Sequence, residues 1–180
     1  MKGLPSLVVL VGLLTAVRAY AQEALPLDAF FGRWEGSAIG QDAAESTLGY
    51  GIRDLDVRIS GTADGLEITW FTVPRAGSLA GPEAETERRS TTVHFAPAGP
   101  SVWLGEAAEG PGADFSRSWA RLDGRSLYVY VLEVDELGIY QLSRYERTIS
   151  AAGVMDLRFT RDKDGRTVRR VTGSLLRAGD

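Results

Sequence analysis

Hydrophobic and polar positions alternate in short runs along most of the chain, and turn-forming residues interrupt them about every ten positions. In "MDLRFTR", Met155, Leu157 and Phe159 alternate with Asp156, Arg158 and Thr160, the two-residue period of a strand with one wet face. "TVRRVTGSLLR" sets Val171, Gly173 and Leu175 against Arg170, Thr172 and Ser174. "SLYVYVLEV" is apolar on both sides, Leu127, Val129 and Val131 against Tyr128, Tyr130, Leu132 and Val134. A strand of that kind is covered twice or lines a cavity.

The periodicity predicts strands near 33–40, 54–60, 66–74, 87–96, 101–106, 116–122, 126–134, 138–149, 154–161 and 167–176. "GTADG", "APAGP", "LDGR", "VDELG", "SAAG" and "RDKDG" supply the connecting turns. The stretches 41–53 and 75–85 read as longer loops. The fold class expected is all-β: a single antiparallel up-and-down barrel of about 8–10 strands, since closure hides the edges of so many short strands.

Residues 1–21 interrupt the pattern. Lys2, the apolar run "LVVLVGLLTAV" and the small-x-small Ala19-Tyr20-Ala21 read as a secretory signal peptide. This leaves 22–180 as one domain and implies a periplasmic or secreted location. The apolar run is short for a membrane span, and no second one follows, so no span is expected after cleavage. With no cysteine, neither a disulfide framework nor an N-terminal lipid-modified cysteine is available. An outer-membrane barrel is disfavoured by the Arg and Glu on strand faces that would meet lipid.

Cleavage removes Lys2 and Arg18 but no acid, deepening the net charge from −4 to −6. An acidic chain is a poor general partner for nucleic acid. Its basic residues concentrate after residue 143, on strands whose outward positions are expected to be charged.

"FFGRWEGSAIG" (30–40) opens the mature domain with Trp34, Gly36, Ala38 and Gly40 on one face. A large aromatic followed by small residues lets a first strand bend sharply beneath a packed ring. Gly32-x-Trp34, the strands that follow and a late arginine together resemble the calycins: lipocalins, fatty-acid-binding proteins and haem-binding nitrobindins. The run with Gly36 and Gly40 is most similar to the nitrobindin-like and bacterial lipocalin-like branches. The resemblance implies that Gly32, Trp34 and Gly36 are structural and that Trp34 packs against an arginine of the last strand: Arg169, Arg170 or Arg177.

Chemistry-bearing motifs are sparse. The single histidine, His94, shares a strand face with Ser90 and Thr92, away from Val93 and Phe95. Without a late histidine or any cysteine, neither a haem ligand, a metal site nor a His-dependent triad is expected; no cofactor is predicted. Asp162-x-Asp164-Gly165 reads as a hairpin turn, lacking the remaining ligands of a calcium loop. Asp54 and Asp56 share a strand face, as carboxylates on solvated strands commonly do.

The candidate ligand-binding residues are therefore Trp70, Trp103, Trp119, Tyr128, Tyr130, Tyr140 and Arg144. The aromatics would line a cavity and the arginine would hold an anionic head group. Fatty-acid-binding proteins use such an Arg–Tyr combination, although adjacent Arg144 and Tyr145 cannot both face inward in a regular strand. The function expected is an exported soluble barrel that binds or carries a small hydrophobic or amphipathic ligand, a fatty acid or lipid-like molecule; whether it also catalyses a reaction is left open by the sequence, with binding favoured over catalysis. A solid-core envelope protein-binding module or inhibitor is the alternative, acting through 41–53 or 75–85. An isomerase or cyclase of barrel type is the third reading.

Overall fold

A computed structural model describes residues 23–42, 50–74, 89–105 and 115–179; the signal-like segment 1–21 and the loop 75–85 lie outside them. Ten strands follow a 3-10 turn at Leu27–Phe30. They are β1 (Gly32–Asp42), β2 (Tyr50–Thr62), β3 (Gly65–Pro74), β4 (Arg89–Gly99) and β5 (Val102–Gly105). The second half comprises β6 (Phe115–Asp123), β7 (Ser126–Val134), β8 (Tyr140–Ile149), β9 (Met155–Lys163) and β10 (Arg166–Arg177). Each strand pairs antiparallel with the next, and β10 returns to β1, giving a closed up-and-down barrel. Among the described residues every strand is paired with a neighbour on each side, which is the advantage of closure for short strands.

The strands around the first predicted loop run further than the periodicity suggests. Gly40 pairs with Gly51 and Gln41 with Tyr50, so part of 41–53 belongs to the β1–β2 ladder. Cross-strand hydrogen bonding there outweighs the weak strand preference of glycine. The "RDKDG" stretch forms the β9–β10 hairpin, with Asp164 and Gly165 both at positive φ (45° and 74°). Asp and Gly tolerate that conformation where most residues do not.

One end of the barrel is solid. Phe30, Trp34, Leu66, Leu127, Met155 and Leu175 are fully or almost fully buried there. The indole Nε1 of Trp34 donates to the carbonyl oxygen of Phe30 at 2.9 Å. Of the three candidate arginines, Arg177 is the one opposite Trp34 in the register. Its guanidinium lies over the indole ring, 4.4 Å from the centroid, and donates to the carbonyl oxygens of Phe31 and Ala29. The segment before β1 is thereby clasped beneath the barrel, and Leu25 N donates to Gly124 O at 2.9 Å.

The alternation of small residues along β1 follows from its closeness to β10. A Cβ on Gly36 would sit 2.1 Å from the Ser174 carbonyl oxygen and 2.8 Å from Leu175 Cα. Both are backbone atoms, so the clash is relieved only by separating the two strands. Gly36→Ala is accordingly expected to destabilise the protein by about 2–3 kcal/mol, as overpacking does. A lowered denaturant midpoint with an unchanged slope would show it.

Candidate functional site

Strand parity fixes what faces inward beyond the solid end. Trp34, Ala38, Val57, Ile59, Leu66, Ile68, Val129, Met155 and Leu157 all point into the barrel. Toward the opposite end the interior opens into two adjoining compartments. One, of about 230 Å³, is walled mainly by Leu55, Val57, Trp70, Tyr145, Phe159 and Val171. The other, of about 330 Å³, meets it at Trp70, Thr91, Tyr145 and Arg161 and has Ser116, Ser118, Glu133 and Ser143 on its far wall. Trp70, Tyr145 and Phe159 form a continuous aromatic wall, with centroid separations of 5.3 and 4.7 Å.

Arg147 stands out within this interior. It is an inward residue of β8, only 2% exposed, and it borders the smaller compartment. Its guanidinium lies 5.7 Å from the Trp70 ring and 5.4 Å from the Tyr145 ring. Neither Nε nor Nη1 meets a hydrogen-bond acceptor. Burial pushes its pKa down to about 10, so the group is still cationic at neutral pH. Burial likewise raises the Tyr145 pKa, opposed by the nearby positive charge of Arg147, so its phenol stays neutral.

A buried cation without an acceptor is a costly arrangement, and a ligand anion relieves it. The planar guanidinium suits a carboxylate or phosphate oxygen pair better than a diffuse charge. Arg161 and Arg169 border the same compartment, and Arg161 Nε donates to Ser143 Oγ at 3.2 Å. Glu133 is the one acid bordering either compartment among the described residues, and Gln141 Nε2 donates to its Oε2 at 2.7 Å. Chemically, a buried guanidinium at an apolar space is able to accept and orient an anion. Among the described residues, no three acidic or histidine side chains are grouped as a metal ion would need.

The aromatics predicted to act together are divided by the barrel wall. Trp70 lines both compartments. Trp103 points inward but belongs to the packed core. Trp119 pairs with Tyr130 on the outer face, where their rings stack 4.9 Å apart and Tyr128 stacks on Tyr130 at 6.3 Å. Outward aromatics can cover one another in this way, so three rings in neighbouring strands need not mark a cavity. Tyr140 begins β8 as an exposed residue, and Arg144 is exposed on the outside of that strand. Gly32, Trp34 and Gly36 stand together in the end seal, Gly32 with φ of 122° beside the Arg177 guanidinium.

Of the Arg144–Tyr145 pair, Tyr145 faces in, and the inward arginine is Arg147, two residues further on. Its signal was parity: in "YERTI", Tyr145, Arg147 and Ile149 share a face, and Ile149 belongs inside. His94 takes an outward position on β4 yet also borders the larger compartment, and its Nδ1 lies 3.3 Å from Glu67 Oε2. Asp56 also faces out and accepts two hydrogen bonds from Arg33, at 3.2 and 2.9 Å.

No protein-family model matches the chain, and no curated protein matches its sequence. Among solved structures it is similar to the S-type phycobiliprotein lyase CPES from Guillardia theta, with a TM-score of 0.53 and 9% identity. That match covers 85% of this chain and 90% of the other. It is also similar to Rv2717c from M. tuberculosis, with a TM-score of 0.55, 13% identity and coverage of 87% and 100%. At such identities the likeness speaks for architecture alone. In fold, the chain is a closed ten-stranded antiparallel up-and-down β-barrel, the architecture that its own strand pairing shows.

Proposed function

We propose that this protein is an exported, soluble barrel that binds a small amphipathic molecule, with the ligand's anionic group on Arg147 and its apolar part against Trp70, Tyr145 and Phe159. The observation that carries the reading is the buried guanidinium of Arg147, two of whose nitrogens lack an acceptor, at the edge of an apolar space. An arginine placed only for stability would have acquired a carboxylate or carbonyl partner. The adjoining compartments, of about 230 and 330 Å³, suit a small ligand. Export rests on the signal-like composition of residues 1–21. A fatty acid is the simplest molecule of the required kind, and the acyl chain needs no further recognition than an apolar wall.

Calorimetric titration with dodecanoate and with dodecanol separates charge recognition from hydrophobic uptake. Both share one chain length and differ in the head group. Dodecanoate is expected to bind at one site per barrel and about tenfold or more tightly than the alcohol, the scale of a charge-assisted hydrogen bond. Equal affinity for the two, or no binding of either, overturns the reading.

A further inference from the structure

The two compartments differ in chemistry. The one at Arg147 is largely hydrocarbon and aromatic ring. The other has a hydrophilic wall built from the inward positions of β6, β7 and β8: Ser116, Ser118, Ser143 and Glu133. Ser116, Ser118 and Ser143 are 9%, 7% and 3% exposed, and the Ser118 hydroxyl has no hydrogen-bond partner. Glu133 receives one bond from Gln141. A carboxylate offers about four acceptor positions, so the single bond leaves most of them open.

A plain hydrocarbon tail lying along this wall would strip water from the carboxylate and the hydroxyls and return no hydrogen bond. That penalty is what makes apolar ligands avoid polar walls. A tail ending in a hydroxyl or amino group would instead donate to Glu133 and leave Ser118 able to join the same network.

The register supplies the spacing. Arg147 lies opposite Leu127 on β7, and Glu133 lies six residues further along that strand, opposite Gln141. Six residues of strand span about 20 Å, and strand tilt reduces this to about 15 Å along the barrel axis. A chain of roughly a dozen carbons bridges that distance.

Resting on the assignment of the anion to Arg147, we infer that the ligand is an elongated acid polar at both ends: an anionic group at Arg147 and a hydrogen-bond-donating hydroxyl or amine at Glu133. Arg161 borders both compartments and Glu133 the larger one, and Arg161 Nε donates to Ser143 Oγ.

The test compares dodecanoate, 12-hydroxydodecanoate and 12-aminododecanoate on the full chain and on Glu133→Gln. The hydroxy and amino acids are expected to bind the native protein about tenfold more tightly than dodecanoate, and the amino acid's advantage is expected to vanish in Glu133→Gln. Equal or weaker binding of both substituted acids to the native protein overturns the inference, as does an amino-acid preference that survives in Glu133→Gln. Circular dichroism of Glu133→Gln confirms that the barrel is intact, and a Ser118→Ala variant provides a second reading: it is expected to reduce the preference for the hydroxy acid over dodecanoate. Arg147→Met distinguishes this failure from failure of the underlying assignment. If all three acids bind Arg147→Met as they bind the native protein, the anion assignment itself is wrong; if all three are lost there while the native protein shows no preference among them, only the second site is.

Discussion

Replacing Arg147 with methionine is expected to stabilise the unliganded protein while removing its affinity for an anionic amphiphile. The guanidinium is 2% exposed, and two of its nitrogens lack acceptors. Its pKa, pushed down to about 10, expresses the same penalty from the titration side: the folded barrel disfavours the charged form. Because the folded value lies below the unfolded one, the penalty is complete at every pH below about 10 and fades only as the pH climbs toward the free-arginine value. The ring contacts with Trp70 and Tyr145 return part of it, on the order of 1–2 kcal/mol. Methionine has nearly the same length, fills irregular space and carries no charge. A gain of roughly 2 kcal/mol in unfolding free energy is expected, as when buried charges are replaced by apolar side chains of similar volume. Dodecanoate affinity should fall about a hundredfold or more. Chemical denaturation and calorimetry on the same preparations measure both. Opposite signs for stability and binding distinguish a ligand-binding group from a structural one, whose removal would lower stability.

Trp34→Ala is expected to have the largest effect on folding. Trp34 is fully buried, its indole donates to the Phe30 carbonyl, and Arg177 covers the ring. Truncation leaves a cavity at the solid end, orphans the Phe30 carbonyl and removes the surface on which the Arg177 guanidinium rests. A loss of about 3–5 kcal/mol is expected, the usual cost of removing a buried tryptophan. Trp34→Phe keeps the ring and loses the donor, so it should cost less, about 1–2 kcal/mol. Urea denaturation followed by far-ultraviolet circular dichroism compares the two. Near-equal effects would place the stabilisation in the hydrogen bond instead of the packing.

The barrel was legible because strands with one wet face declare themselves. Met155, Leu157 and Phe159 are each buried, and Asp156 and Arg158 are exposed, as the alternation requires. The Trp34 face was equally clear, since small residues can follow a large one only where strands crowd together. The partner arginine was not, because Arg169, Arg170 and Arg177 differ only in register, and register depends on the whole β9–β10 hairpin with its shift between Thr167 and Arg169. β7 was ambiguous for a related reason. Its outer tyrosines are sheltered by Trp119 and by one another, so hydrophobicity marks both faces and parity alone does not say which is interior.

The site itself was only half legible. Aromatic residues suggested a lined cavity, but of those singled out only Trp70 borders it; Tyr145 and Phe159 complete the wall. Residue type does not mark Arg147 as interior, because transfer energetics place an isolated arginine in water. Local propensity carries no information about a charge kept inside at the expense of stability. Such a residue becomes visible only when the closed barrel shows that Ile149, and therefore Arg147, must point inward.

Native mass spectrometry of the protein purified from its own cells, alongside Arg147→Met prepared identically, tests the central claim most directly. A stoichiometric acidic small molecule on the native protein and its absence from the variant is the predicted result. A native barrel that carries nothing, and whose mass stays unchanged after incubation with dodecanoate and 12-hydroxydodecanoate, would contradict it.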